Sequence, residues 1–419
     1  PVGCLMAGPI IDHYGRRRGL MLLNIPFLFG WLLICLFPSL SALYCGRLLT
    51  GFASGLATIC PTIYTTEIVS QHLRTALVTL SPMMLALGIL VIYFLGIVYQ
   101  DQWRVVAGIS AFLTLISVLL TPLLPESPMW LLSKSRSDDA ADSMFILRGI
   151  PSAHSVEDEL EILKGKQDFR RRRGPSSWAT TWADLSLPEA YKPLIIMNIF
   201  FLFQQMAGVT IVIVYAINFA KDAGMEQDTH LVALGIAIVR LLATFITTWS
   251  CNKYGRRPTA VYSGAAMALS LLALAAHIHI KDLGQLAVNS LPTVHKGGRY
   301  FDWVSAVTLL LYVLTSCVGF STLPWAMLGE VFPIRIRGIG GGITACFVYF
   351  ISFLSVKFYP SAILTLGKFN VFFIFATAAV LGTLFVEIYL PETHGKTLNE
   401  IQQHFRKKDK KKMEEETTK

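Results

Sequence analysis

Asp12-His13-Tyr14-Gly15-Arg16-Arg17-Arg18 and Asn252-Lys253-Tyr254-Gly255-Arg256-Arg257-Pro258 carry the same Gly-Arg-Arg signal in opposite halves of a 419-residue chain. Outward from these strings, each half repeats further polar marks in the same order. Glu67 stands seven residues before Arg74, and Glu330 stands seven before Arg337. Pro125-Glu126-Ser127 returns as Pro391-Glu392-Thr393. Each mark falls at the end of a long apolar run. Repeated charges at matching segment ends are the signature of two related helical bundles.

The composition agrees. The chain is 53% apolar and 15% charged, with a mean hydropathy of +0.54. Soluble domains carry about 25% charged residues, so this chain cannot coat a water-facing surface. A soluble enzyme, a disordered tail and a fibrous protein are excluded. Runs long enough to cross a bilayer are predicted near 20–40, 43–68, 75–98, 104–124, 194–220, 229–251, 259–280, 303–329, 338–364 and 369–390. None alternates with period two. In lipid the backbone must pair within each segment, so helices are expected.

Orientation follows from the basic residues. Loops 12–18, 70–74, 125–192, 252–258, 335–337 and the C-terminus hold 27 of the 36 Lys and Arg. That side is expected to be cytoplasmic. The net charge of +9 therefore reports topology, and no nucleic-acid partner is expected. The domain reading is an N-terminal transmembrane bundle over 1–124 and a cytoplasmic linker with short helices over 125–192. A C-terminal transmembrane bundle over 193–390 and a basic cytoplasmic tail over 391–419 follow.

The repeat also measures the chain. Gln204-Gln205 lies about fifty residues before Gly255, and the matching point lies about thirty-six residues before Pro1. The expectation is an all-α polytopic protein of two six-helix bundles, lacking the first helix and part of the second. The seven cysteines are scattered singly, without metal-ligand spacing, so no metal site and no cofactor are expected. No nucleophile and base converge, so catalysis is not expected either.

These strings, taken in order, resemble the major facilitator superfamily, in its sugar-porter branch of insect trehalose transporters and glucose facilitators. The resemblance is carried by Asp12 to Arg17, Gly46-Arg47, Pro61 to Glu67, Trp103-Arg104, Pro125-Glu126-Ser127-Pro128 with Trp130, Gln204-Gln205, Pro324-Trp325 with Glu330, and Pro391 to Leu398. It implies a multi-pass protein of the plasma membrane that faces the bilayer and carries a small polar solute, a sugar. The mechanism implied is facilitative alternating access around a midplane site.

Asp12, Arg16, Arg17, Glu67, Arg74, Arg256, Arg257, Glu330 and Arg337 all fall at expected cytoplasmic helix ends. Arginine holds carboxylates by two parallel bonds, so these residues can form ion pairs between the halves that close the inner gate. The plainer reading is topology-setting charge in exposed pairs worth little.

On the substrate side, amides supply the paired donors and acceptors a polyol requires. Gln204 and Gln205 are costly in an apolar helix unless they face a water-filled path or a neighbouring helix. The resemblance places them with Trp325 in the sugar site. Tyr215 is either an outer lid or an interfacial aromatic.

Several positions depart from the family. Thr210 and Arg240 stand where asparagines are usual, Pro82 where a glutamine is usual, and Asn252 where a carboxylate is usual. Arg240, deep in an apolar run, must snorkel, pair or line a cavity. It either meets an acidic substrate or turns to the outer interface or a carboxylate beyond these residues. A non-transporting nutrient sensor, and a carrier of organic anions or polyols, therefore stand beside the sugar reading.

Overall fold

A computed structural model describes residues 1–69, 80–100, 102–148, 165, 185–222, 229–289, 299–333, 336–393 and 400. Among them no strand occurs. The helices are α1 (Val2–Tyr14), α2 (Arg16–Leu36), α3 (Leu40–Ile68), α4 (Leu80–Val98), α5 (Trp103–Leu120), α6 (Pro128–Ser133), α7 (Ser137–Arg148) and α8 (Pro188–Met206). They continue as α9 (Val209–Val214), α10 (Ala216–Asp222), α11 (Thr229–Tyr254), α12 (Arg256–Asn289), α13 (Arg299–Thr315), α14 (Leu323–Val331), α15 (Arg337–Leu366) and α16 (Lys368–Tyr389).

Nine helical stretches among the described residues are long and apolar enough to cross a membrane. They match nine of the ten predicted spans. Residues 194–220, the remaining one, are helical but interrupted, as α8, α9 and α10. Large apolar side chains point outward along the spans; Leu48 is 71% exposed and Leu269 67% exposed. In water such a surface would aggregate, whereas lipid is a matched solvent for it.

The chain divides into two compact units, one of Pro1–Ser81 and Val98–Leu185, the other of Pro82–Ile97 and Ser186–Lys419. In the first unit, α1, α2 and α3 pack Ala7, Ile11, Leu23, Leu56 and Cys60 into one core. The buried amide of Asn24 in α2 donates to the Thr121 hydroxyl at the end of α5, at 3.2 Å, which satisfies a polar group that apolar surroundings would otherwise penalise. The short helices α6 and α7 have their own core, built on Trp130, Leu131, Leu132, Ala140 and Met144. They fall within the stretch 125–192 read from sequence as a linker with short helices; Glu157 to Leu163 of that stretch lie outside the described residues.

The second unit buries Phe200, Phe201, Tyr312, Phe320, Phe332 and Phe372 completely. Most of α4 belongs here, although chain order had grouped it with residues 1–124. A contact explains it: the Tyr93 hydroxyl donates to the Ile213 carbonyl at 2.6 Å, near the end of α9 where the helix leaves that carbonyl without an internal partner.

Candidate functional site

Two kinds of site emerge, one at the repeated helix ends and one inside the second unit. The first begins with glycine. The chain turns from α1 into α2 at Gly15 with φ +102°, and from α11 into α12 at Gly255 with φ +90°. A Cβ at these positions would lie 2.6 Å from a Glu126 oxygen and 2.9 Å from a Glu392 oxygen. Glycine thus supplies both the left-handed turn and the room for a carboxylate.

Each carboxylate caps the following helix. Glu126 Oε1 accepts from the backbone N–H of Arg16 and Arg17 at 2.8 and 3.0 Å. Glu392 accepts from the N–H of Arg256 and Arg257 at 3.1 and 3.0 Å. An anion at a helix N-terminus satisfies orphan donors and complements the helix dipole. The repeat quoted from the sequence is therefore a repeated cap.

Around the first cap lies a charge cluster. Arg16 holds Glu67 bidentately, Nε to Oε2 at 2.8 Å and Nη2 to Oε1 at 2.7 Å. Its Nη1 also reaches Asp12 Oδ1 at 3.0 Å, and the Ser127 hydroxyl donates to Glu67 at 2.5 Å. The side chains of Arg16 and Glu67 are only 12% and 18% exposed, so this is not a loose surface pair. The Trp130 indole N–H closes the cluster on the Asp12 carbonyl at 3.0 Å. Pairs were expected between the halves; Arg16 and Glu67 pair inside one unit.

In the second unit, Arg256 donates to the Thr393 hydroxyl at 3.4 Å, and the Arg257 guanidinium to the Glu387 carbonyl. Glu330 falls in α14 and Arg337 begins α15, but their side chains lie outside the described residues, as does all of Arg74.

The second site forms where two helices break. The chain leaves α8 and enters α9 through Gly208, whose φ is +80° and whose missing Cβ would lie 2.8 Å from the Phe375 ring. A few ångströms away, α13 passes into a π-turn, Ser316–Phe320, before α14 begins. Such irregularities free main-chain groups that membrane interiors require to be satisfied.

Side chains satisfy them. Gln204 Nε2 donates to the Ser321 carbonyl at 2.9 Å, and the buried Tyr312 hydroxyl to the Ala207 carbonyl at 2.8 Å. Thr247 and Thr322 both donate to the Cys317 carbonyl, at 3.1 and 2.6 Å. Gln205 accepts from the Thr210 hydroxyl at 2.6 Å. Among the described residues Gln204 Oε1 has no partner, although the side chain is only 3% exposed.

Aromatic rings flank this region. Trp325, half-buried in α14, meets Phe201 edge-on with centroids 4.9 Å apart, and lies 6.2 Å from Tyr349. Tyr215 stacks on Tyr359 at 5.6 Å. Arg240, half-buried in α11, reaches Cys317 Sγ at 3.8 Å. The structure thus gathers Gln204, Gln205, Thr210, Trp325, Tyr215 and Arg240 into one unit.

Sequence reading missed Glu126, Glu392, Ser321, Cys317 and Tyr93 as site residues. The two glutamates carried a signal, since they stand in the repeat. The π-turn residues carried none. Among the described residues no group of three or more His, Cys, Asp or Glu is placed to hold a metal ion.

Against known proteins, the sequence pattern of the family described as "Sugar (and other) transporter" matches residues 1–405. A facilitated trehalose transporter Tret1 of Aedes aegypti is 32% identical over 401 residues, which are 96% of this chain and 47% of that protein. The Tret1 of Culex quinquefasciatus is 31% identical over 96% of this chain and 74% of its own length. This chain thus spans about half the length of some relatives it matches. Among solved structures, the major facilitator superfamily proton:xylose symporter XylE bound to 6-bromo-6-deoxy-D-glucose superposes with a TM-score of 0.76. The match covers 96% of this chain and 87% of that one at 20% identity, a likeness of fold.

Proposed function

The chain belongs to the sugar (and other) transporter family, and on that footing we propose that it carries a sugar across a membrane by facilitative alternating access. It is an integral, multi-pass, all-helical membrane protein. The substrate of this reading is a hexose or a disaccharide such as trehalose, which the Tret1 relatives carry in name. The observation that supports it most is the joint break of α8–α9 and α13–α14, with the unpartnered Gln204 Oε1 beside it. A broken helix presents polar groups at membrane depth only where protein or a water-filled path surrounds them.

In this reading Gln204, Gln205, Thr210 and Trp325 bind the sugar, amides to hydroxyls and indole to the ring face. Tyr215, on its Tyr359 stack, closes over the site from outside. The capped clusters about Arg16, Arg17, Arg256 and Arg257 act as inner latches whose rearrangement accompanies opening to the cytoplasm. The reading places the protein in the plasma membrane, with residues 12–18, 125–192, 252–258 and the C-terminus inside.

The direct test is uptake of labelled glucose and trehalose into proteoliposomes. Saturable uptake of either supports the proposal. Binding with no saturable flux overturns it in favour of a nutrient sensor, the reading to which the substituted positions Pro82 and Thr210 lend weight.

A further inference from the structure

Arg240 lies ten residues into the span His230–Cys251, about 15 Å of helix from its start and near its middle. A guanidinium at that depth carries a cost of about 3 kcal/mol on insertion scales unless something compensates it. Among the described residues no carboxylate lies within 4 Å of it. The contact it makes, Nη1 to Cys317 Sγ at 3.8 Å, is with a weak acceptor.

Among the described residues no hydrogen bond joins the guanidinium to a neighbouring hydroxyl. Those of Tyr93, Tyr312 and Ser316 donate to Ile213, Ala207 and Val313, and none accepts from Arg240. The Cys317 carbonyl is taken twice over by threonines. Arg240 nevertheless lines a small void, about 10 Å³, together with Val209, Ile213, Tyr312 and Cys317. That volume holds about one water molecule, too little to hydrate a five-donor fork, and a sugar enters only as the surrounding helices part.

A second unsatisfied group faces the same π-turn. Arg240 touches Cys317 near its start, and Gln204 binds Ser321 just past its end. Their partners at the π-turn, Cys317 and Ser321, stand four residues apart in sequence. Arg240 offers charged donors without an acid; Gln204 offers a buried amide oxygen without a donor. A carboxylate beside a hydroxyl on the same small molecule completes both.

We propose that Arg240 makes this a site for an anionic sugar, a sugar bearing a carboxylate, in preference to its neutral counterpart. The proposal rests on the sugar-transport reading and names the substrate class for it. Arg240 takes the carboxylate bidentately, and Gln204 Oε1 accepts from a ring hydroxyl. The charge that the membrane penalises is then neutralised when the substrate is bound, so the arginine's desolvation is offset only by the acid.

The test compares D-glucuronate, D-glucose and acetate on the full chain in detergent, by the shift in thermal midpoint with ligand concentration. The expected result is a tenfold or greater preference for glucuronate over glucose, a difference of about 1.4 kcal/mol, with acetate weaker than both. Arg240→Asn brings the glucuronate-to-glucose ratio towards one, and Arg240→Lys retains part of it. Because the readout is a ratio within each variant, a general loss of stability does not imitate it. Glucose bound as tightly as glucuronate, an unchanged ratio in Arg240→Asn, or acetate bound as well as glucuronate overturns the proposal.

Uptake in proteoliposomes separates the two levels. Saturable glucose uptake without glucuronate preference overturns the anionic-sugar proposal alone. Glucuronate preference in binding with no saturable uptake of any sugar overturns the transport reading and supports the site.

Discussion

The side-chain amide of Gln204 donates to the main-chain carbonyl of Ser321 at 2.9 Å, fastening the last turn of α8 to the residue that follows the π-turn. Two helix breaks are thereby tied together by one side chain. Gln204→Leu leaves the Ser321 carbonyl without this donor and removes the free Oε1. The expected outcome is a loss of about 1–3 kcal/mol of stability and at least a tenfold weaker apparent sugar affinity. Thermal unfolding in detergent and uptake kinetics check it.

Gly208 is the second support of that region. Its φ of +80° and the Phe375 ring at 2.8 Å from the missing Cβ leave no place for a side chain. Gly208→Ala is expected to cost about 1–2 kcal/mol from backbone strain alone, with more from displacing the ring. The thermal midpoint reports the loss, and Phe375→Ala in the same background relieves only the steric part.

The two caps give a matched pair of tests. Glu126 accepts three backbone N–H bonds, from Arg16, Arg17 and Ser127, whereas two are shown for Glu392, from Arg256 and Arg257. Each replacement by alanine is expected to destabilise by about 1–2 kcal/mol. Replacement by glutamine, which keeps an acceptor oxygen, is expected to cost less. Thermal unfolding of the four variants checks the order.

Charge in so apolar a chain stands out, and for that reason the repeat was legible. The marks at Gly15 and Gly255, at Glu67 and at Pro125 and Pro391 all proved to be helix ends. Nine spans were equally legible, because lipid leaves the backbone few options. The role of Glu126 and Glu392 was less so: sequence reading looked for acids that pair with arginine side chains, and these two bind backbone N–H groups instead. The π-turn at Ser316–Phe320 had no sequence signal, since its residues are ordinary for a membrane helix. Without it, the meeting of Gln204 with Ser321 and of Arg240 with Cys317 could not be anticipated. The grouping of α4 with the second unit was hidden for the same reason, because it rests on packing and on a tyrosine bonded to one carbonyl.

The latch role of the first charge cluster has its own test. Glu67→Gln keeps the shape and one acceptor but leaves Arg16, at 12% exposure, without its bidentate partner. The expected outcome is a loss of about 1–3 kcal/mol in stability together with greater cytoplasmic accessibility of introduced cysteine probes and an altered transport rate. Unchanged accessibility and rate, with stability alone reduced, would leave the cluster as topology and packing.

The most direct measurement of the central claim is sugar counterflow in proteoliposomes reconstituted with the full chain. Vesicles loaded with unlabelled sugar and placed in trace labelled sugar are expected to accumulate label transiently above equilibrium, then lose it. Only a carrier whose single site faces each side in turn produces that overshoot. Label that merely equilibrates at the rate of empty vesicles, while the protein still binds the sugar, would contradict alternating-access transport.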